Sequence, residues 1–464
     1  MSTGLAWVAL VAEDDIFRQQ LRLFYRPMDG TVGMKTESLC LETGRKYSIK
    51  WSIYSEKTGD YWNFINHLRH DWDIARKIEG SFIWFNPDDI LAMPFEKLRS
   101  GLESQKVKVA NMLGGWVDPK AALTEKGLPF IGFGTAVILP QFEDFRFRIE
   151  KAIRRLKNAQ PGIQVLVYFN SQRDSSPGKH LDSRILDAQS RPEFTDWQGS
   201  YSRTWSLYPT LENSYGQELL QVVSKMRALG ADGLYWDEME SVDYSGVRTL
   251  DAQWDGFSCR LDADSRVISR IAYVNLLSES AKLSFAQRGG VVMANSPPTT
   301  RKMMQRKDLH MVETQHIADW SAYSHLTTPL AFIGSDDNWL QMLAPMKHGL
   351  LPVSVRLGYS STFFSRLYPF TVQTIHEGRV LGKEKIVTLR SGSYGWLRGC
   401  EKGNLAIYQY DSNGRDVSFS GEIRYDGDSC VATLKLGKNE AVILERISST
   451  SEDDSETPTV SRVD

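Results

Sequence analysis

Three carboxylates follow a short apolar run in the segment at positions 230–240, which reads Gly-Ala-Asp-Gly-Leu-Tyr-Trp-Asp-Glu-Met-Glu. Residues 234–236 have the size and shape of a buried strand. Asp237, Glu238 and Glu240 could not follow them into an apolar interior without partners, so we expect all three where the strand emerges, in a cleft. The simpler interpretation is a solvated, acidic helix start, where Asp and Glu favour the helix dipole.

The elements around this segment alternate between apolar runs of strand length and amphipathic helices. The runs are Phe82–Phe85, Val107–Leu113, Val165–Phe169, Gly233–Trp236, Val291–Ala294, Met311–Val312, Leu330–Ile333 and Pro352–Val355. Apolar residues three or four apart predict helices at Phe145–Leu156, Gly216–Leu229, Ser265–Arg288 and Asn338–Leu350. Such alternation indicates βαβ units and a parallel sheet, and eight repeats predict an α/β fold of the (β/α)8 TIM-barrel type.

Polar residues follow most of the predicted strands, and a barrel of this kind builds its active site at the carboxyl ends of its strands. The candidates for substrate binding are Trp116, Asp118, Asn170, Arg173, Trp236, Glu238, Asn295, His316 and Asp336. Short hydrogen-bonding side chains beside an aromatic platform are what a polyhydroxylated ligand requires. Arg173, Asn295 and His316 could equally serve the structure alone. Trp236 has an alternative role in the core, and Asp336 an alternative role at a helix N-terminus.

Two carboxylates directly follow apolar strand cores: Asp237 after the fourth and Glu313 after the sixth. Cleavage of a glycosidic bond usually needs such a pair, one ionised to attack the anomeric carbon and one protonated to donate to the leaving oxygen. Asp237 fits the ionised role and Glu313 the acid/base role, because the apolar neighbours of Glu313 would favour its protonated form. The alternatives for Glu313 are an ion pair with an arginine or a solvated loop position.

The motif Gly-Leu-Tyr-Trp-Asp-Glu-Met-Glu at 233–240 resembles the fourth-strand motif of retaining α-glycoside hydrolases with (β/α)8 barrels, a group that includes α-galactosidases, α-glucosidases and endo-α-N-acetylgalactosaminidases. The resemblance implies that Asp237 is the nucleophile. Glu313 as acid/base is closer to the endo-α-N-acetylgalactosaminidase type, since many of the others place an aspartate after the sixth strand. The resemblance also implies a β-sandwich before the barrel and a small β domain after the barrel.

The preferred hypothesis is therefore a retaining hydrolase of an α-linked, galacto- or gluco-configured oligo- or polysaccharide, with no organic cofactor and no metal. One alternative is a β-glycosidase that uses Glu238 as acid/base. The other is a barrel that binds carbohydrate without turning it over. The sequence does not specify the sugar, the linkage, exo or endo action, or the oligomeric state.

Composition narrows the range of partners. A formal charge of -2, from 55 basic and 57 acidic residues, gives no positive electrostatic field that would attract a nucleic acid, so no nucleic-acid partner is expected. The apolar run at 5–12 is too short to span a membrane and lacks the basic start of a signal peptide, so no export or membrane signal is expected. The chain begins abruptly in strand-like sequence, as a fragment of a longer protein would. Of four cysteines, only Cys400 and Cys430 are expected to lie close enough to pair.

Four regions are expected along the chain of 464 residues. Residues 1–58 are β-rich and predict the end of a β-sandwich, with side chains alternating over 47–54. Residues 59–386 form the barrel, beginning with a helix whose apolar residues lie between 62 and 72. Period-two segments in 387–447 predict a C-terminal antiparallel β domain, and the polar tail at 448–464 is expected to be disordered.

Overall fold

The computed structural model describes residues 7–56, 60–113, 143–175, 178–187, 189–196, 203–240, 242–243, 246–251, 253–306, 308–313, 317–333, 338–353, 357 and 362–447. The chain divides into two compact units. The first comprises Met1–Phe64, Leu113–Ile153 and Leu166–Arg306, and the second comprises Ile65–Met112, Arg154–Val165 and Lys307–Asp464.

Eight parallel strands form one sheet, and they follow each other in the order of the chain. They are Ser81–Phe85, Val107–Met112, Gln164–Asn170, Gly233–Asp237, Val291–Asn295, Leu309–Val312, Leu330–Phe332 and Leu351–Val353. Each coincides with one of the predicted apolar runs, with ends shifted by no more than two residues. The prediction of a (β/α)8 fold is confirmed.

Helices lie before, between and after these strands, and two predicted helices need correction. The helices are Tyr61–Asp71, Pro87–Ala92, Phe95–Ser104, Glu143–Ala159, Ser214–Ala228, Val274–Gly289, Arg301–Met304, Ile317–Ser324, Trp339–Leu343 and Phe363–Leu367. The one predicted from Ser265 begins only at Val274, because Val267–Ser269 pairs with Cys259–Leu261 as an antiparallel hairpin. The one predicted over Asn338–Leu350 ends at Leu343 and is followed by a 3-10 turn that starts at Pro345, which has no N–H to continue an α-helix.

The N-terminal segment of the first unit contains two separate antiparallel ladders and a short helix. Trp7–Ala12 pairs with Trp51–Glu56, and Arg22–Arg26 pairs with Thr31–Lys35. The helix Asp15–Gln20 follows the first strand, and its N-terminus is capped by the side chain of Asp14. The strand predicted over 47–54 begins at Trp51. A β-sandwich over residues 1–58 stays a prediction.

The C-terminal part of the second unit is antiparallel, as expected. A seven-stranded sheet joins Asp416–Val417, Leu405–Tyr410, Ala441–Arg446, Lys385–Thr388, Arg379–Gly382, Phe370–His376 and Arg76–Ile78 in that order. A three-stranded sheet contains Gly392–Trp396, Ser429–Leu434 and Glu422–Asp426. Cys400 and Cys430 form a disulfide within the core beneath these sheets. The expected tail lies outside the described residues.

No helix that the structure describes is long and apolar enough to cross a membrane.

Candidate active site

The fourth strand, Gly233–Asp237, is paired on both sides within the first unit. On one side Asp237 lies opposite Asn170 of the third strand, and on the other Trp236 lies opposite Ala294 of the fifth. The strand starts at a glycine because a Cβ at Gly233 would lie 1.8 Å from the carbonyl oxygen of Val291. This close pairing places the carboxylate of Asp237 between the carboxyl ends of the two neighbouring strands.

The carboxylate of Asp237 receives one hydrogen bond from each neighbouring strand. The hydroxyl of Tyr168 donates to Oδ2 at 3.0 Å, and Nδ2 of Asn295 donates to Oδ1 at 3.0 Å. Burial raises the pKa of Tyr168 well above its usual value, and the charges of Asp237 and Glu238 act in the same direction. The phenol therefore keeps its proton as a donor. Asp237 itself is half-buried, so its carboxylate is held in a fixed orientation without being sealed in the core.

Glu238 lies beside Asp237 and is held by the third strand and the segment after it. Its backbone has a φ of 47°, in the left-handed region. Its Oε2 accepts hydrogen bonds from Nε of Arg173 at 2.5 Å and from Nδ2 of Asn170 at 3.2 Å. Arg173 also donates through Nη1 to Thr195 at 2.8 Å. The result is an ion pair, partly exposed, that sets a guanidinium against the carboxylate of Glu238.

Glu240 does not lie in an open cleft, which corrects the sequence-based expectation for the third carboxylate. Its side chain is buried, and Oε1 lies 3.4 Å from Nζ of Lys282, which is also buried. Burial raises the pKa of Glu240 and lowers that of Lys282, while each charge favours ionisation of the other. The partner that allows Glu240 to enter the interior is thus a lysine of the helix Val274–Gly289.

Trp236 and Asn170 also differ from the predicted ligand-binding roles. Trp236 is fully buried, packs on Phe169 and Phe285, and donates its indole N–H to Ser171 at 3.0 Å. No face of its ring is left for a sugar, so its role is in the core. Asn170 is fully buried as well, and its Oδ1 accepts the backbone N–H groups at 172 and 173. Asn170 shapes the turn after the third strand and orients Glu238.

The five remaining predicted residues lie in the second unit or outside the described residues. Glu313 directly follows the sixth strand, as expected, and is half-buried. It belongs to the second unit, and its pairing with Asp237 stays a prediction. Trp116, Asp118, His316 and Asp336 lie outside the described residues. Within the described part of the chain, no group of three or more His, Cys, Asp or Glu side chains is placed to hold a metal ion.

Sequence reasoning missed Tyr168 and Lys282. Tyr168 lies inside the third apolar run, where its hydroxyl gave no polar signal, but it is two residues before Asn170 and therefore on the same face of the strand. Lys282 lies in the middle of its helix, directly after the buried Ala281. A lysine on the buried face of a helix could have been read as the partner of a buried carboxylate.

Comparison with known proteins gives matches in structure only. No family model and no curated protein matches the sequence. The α-N-acetylgalactosaminidase NagBb from Bifidobacterium bifidum, in its GalNAc complex, is similar over 84% of this chain and 71% of that chain, with 11% identity and a TM-score of 0.50. The ligand-free form of the same protein is similar over 79% of this chain and 65% of that chain, with 13% identity and a TM-score of 0.46.

An α-galactosidase from Thermus thermophilus, TtGalA in complex with stachyose, is similar over 76% of this chain and 66% of that chain, with 13% identity and a TM-score of 0.43. This chain thus spans only about two thirds of the length of these proteins. At such low identity, the likeness to the GalNAc complex of NagBb shows a shared fold, and the chain has the (β/α)8 fold of that glycoside hydrolase.

Proposed function

We propose that this protein is a glycoside hydrolase that cleaves an α-linked, galacto- or gluco-configured substrate with retention of configuration. Asp237 is the nucleophile and Glu313 the acid/base. The observation that carries this proposal is the carboxylate of Asp237, half-buried at the carboxyl end of the fourth strand and oriented by the Tyr168 hydroxyl and the Asn295 amide. The shared fold with an α-N-acetylgalactosaminidase, one form of which is a GalNAc complex, supports the α-configured substrate.

The reaction proceeds in two displacements. A carboxylate oxygen of Asp237 bonds to the anomeric carbon as the glycosidic C–O bond breaks, and Glu313 gives its proton to the leaving oxygen. Water then attacks the anomeric carbon of the glycosyl ester, the bond to Asp237 breaks, and Glu313 takes the proton from that water. The sugar is released in its original anomeric configuration, and both carboxyl groups return to their starting protonation states.

Two further features support this assignment. The fixed donors on both oxygens of Asp237 restrict its rotation, which favours a near-attack geometry. Oε2 of Glu238 is already engaged by Arg173 and Asn170, so Glu238 would have to leave an ion pair before it could carry a proton to a leaving group. This supports a substrate-contacting or holding role for Glu238 over the β-glycosidase alternative.

The test begins with aryl α- and β-glycosides of galactose, glucose and N-acetylgalactosamine. We expect turnover of an α-glycoside, and Asp237→Asn should lower kcat by about a thousandfold or more. The adjacent substitution Glu238→Gln is the matched control, because it also removes one carboxylate charge but should leave the covalent step in place. Turnover confined to β-glycosides, or equal loss in both variants, would contradict the assignment.

Stereochemistry and the covalent intermediate give independent readouts. NMR of the first product should show the α-anomer. Asp237→Ala with added azide should form the β-glycosyl azide, because a small anion can then occupy the space of the missing carboxylate. Glu313→Gln should slow substrates with poor leaving groups far more than dinitrophenyl glycosides, which need no proton. Binding of sugars without turnover of any glycoside would instead favour the carbohydrate-binding alternative.

A further inference from the structure

Four side chains in the first unit form a closed ring of polar contacts that the proposed mechanism does not use. Glu240 Oε1 lies 3.4 Å from Nζ of Lys282, and Lys282 donates to Oδ1 of Asn275 at 3.1 Å. Nδ2 of Asn275 donates to the hydroxyl of Thr299 at 3.2 Å, and that hydroxyl donates to Oε2 of Glu240 at 3.1 Å. Glu240, Lys282 and Asn275 are each no more than 2% exposed.

A ring of this kind is costly to bury unless every member is paired, so its contacts are strongly interdependent. It joins three parts of the chain: the segment after the fourth strand, the helix Val274–Gly289, and the segment after the fifth strand. The helix supplies both Asn275 and Lys282 to the ring. The two segments that contact the helix directly follow Asp237 and Asn295 in the chain.

A backbone contact connects the ring to the reacting carboxylate. The N–H of Met239 donates to the carbonyl of Asn295 at 3.2 Å, and the side chain of Asn295 donates to Asp237. The carbonyl of Met239 accepts from Nε2 of Gln172 at 3.0 Å. Both Glu238, with a φ of 47°, and Ser296, with a φ of 91°, adopt left-handed conformations next to these contacts. Such conformations persist only where the surroundings fix them.

The N-terminal segment supports the same region from another side. Arg18 donates to the carbonyl of Thr299 at 3.3 Å, and the backbone N–H of Arg301 donates to Oδ1 of Asp15 at 2.9 Å. Nη1 of Arg301 contacts Oε2 of Glu13 at 2.6 Å. The helix Asp15–Gln20 is therefore attached to the segment that follows Asn295 and contains Thr299 and Arg301.

We propose that Glu240, Lys282 and Thr299 are positioning residues, which hold Asn295 in place to orient the carboxylate of Asp237. They act through Asn295 and the backbone of Met239 and contact no reacting atom. The inference rests on the proposed function, since it takes Asp237 to be the group that reacts.

The variant that tests this is Thr299→Val, which opens the ring without removing a charge. Thr388→Val is the matched control, because Thr388 is a buried threonine of the C-terminal sheet whose hydroxyl contacts the backbone of Arg390. Hydrogen exchange is measured by mass spectrometry on peptides that contain Met239 and Asn295. We expect exchange about fivefold faster in these peptides for Thr299→Val and no change for Thr388→Val.

Kinetics on the same proteins separate positioning from simple stabilisation. With a glycoside that the wild-type protein hydrolyses, kcat of Thr299→Val should fall about tenfold with KM nearly unchanged, and Thr299→Ser should restore it. The pair Glu240→Gln with Lys282→Met, which removes both charges together, should give the same fall in kcat even if Glu240→Gln alone does not fold.

The outcomes are distinguishable from failure of the proposed function. Unchanged exchange in both peptides, or faster exchange with wild-type kcat while Asp237→Asn is inactive, overturns the positioning role. If Asp237→Asn keeps full activity, or no glycoside is hydrolysed, the proposed function fails. Exchange then still decides whether the ring holds Asn295.

Discussion

Replacing Tyr168 with phenylalanine removes a hydroxyl that donates to Asp237 and leaves the aromatic ring in place. Tyr168 is nearly fully buried, so phenylalanine fills the same space and keeps the edge-on contact with the ring of Tyr235. Oδ2 of Asp237 loses the donor at 3.0 Å, whereas Oδ1 keeps Asn295. The carboxylate can then rotate about its Cβ–Cγ bond, because the hydrogen bond from Asn295 does not by itself fix the plane of the carboxylate.

The size of the effect follows from the charge of the acceptor. A hydrogen bond to an ionised group contributes about 1.5–3 kcal/mol, whereas a bond between neutral groups contributes about 0.5–1.5 kcal/mol. If reorienting the Asp237 carboxylate for attack costs a free energy equal to that of the lost hydrogen bond, kcat/KM falls by about 10- to 150-fold. The lower end is expected if a water replaces the phenol, since Asp237 is only half-buried.

The assay is kcat/KM with an aryl α-glycoside, measured together with the free energy of unfolding in denaturant. Tyr368→Phe is the control, because Tyr368 is also fully buried and its hydroxyl donates to the backbone carbonyl of Pro352 at 2.8 Å. Tyr368→Phe should lose about 0.5–1.5 kcal/mol of stability and Tyr168→Phe about 1.5–3 kcal/mol, and only Tyr168→Phe should lose activity. Wild-type kcat/KM in Tyr168→Phe, or an equal loss in both variants, would refute the assigned role of this hydrogen bond.

Three further predictions concern stability. Burial lowers the pKa of His325 from 6.5 to about 4. The free energy of unfolding of the wild-type protein should therefore fall by about 3 kcal/mol as the pH falls from 6.5 to 4, and this histidine should not affect it above that range. Acid unfolding of His325→Gln should show a smaller decrease. Replacing Cys400 and Cys430 together by alanine opens a loop of 30 residues and should lower the free energy of unfolding by about 3–4 kcal/mol, as should a reductant. Glu240→Gln should lower the free energy of unfolding by about 3–5 kcal/mol, because it leaves the charge of Lys282 without its carboxylate partner. Adding Lys282→Met should recover most of that stability in a double-mutant cycle measured with denaturant.

The fold was predictable because a parallel sheet covered on both faces makes each strand a short, continuous apolar run. Such runs are separated by amphipathic helices, and both signals are local in sequence. The strand Val267–Ser269 was one of two failures: its apolar residues also fit a helical spacing, but it pairs with Cys259–Leu261 across a turn. A helix starting at Ser265 was wrong for that reason.

The candidate site was only partly predictable, since its residues meet through packing between distant segments. The position of Asp237 at the end of a buried strand was predictable, because the apolar run before it ends at the first carboxylate. Tyr168 donates to it from 69 positions away, and Lys282 reaches Glu240 from a helix whose sequence shows weak periodicity. Neither contact has a local signal. Each becomes expected only after the strand order and the face of each side chain are known.

The alternation of side chains along the fourth strand explains why neighbouring residues have different roles. Successive side chains of a strand point to opposite faces. Leu234 and Trp236 face the helix Val274–Gly289: a Cβ at Gly289 would lie 2.6 Å from Leu234, and Trp236 packs on Phe285. Tyr235 and Asp237 share the other face with Tyr168. A one-residue slip would bury Asp237 against Phe285 and place Trp236 beside Tyr168, so the tight pairing of Gly233 with Val291 fixes both the core and the position of the Asp237 carboxylate.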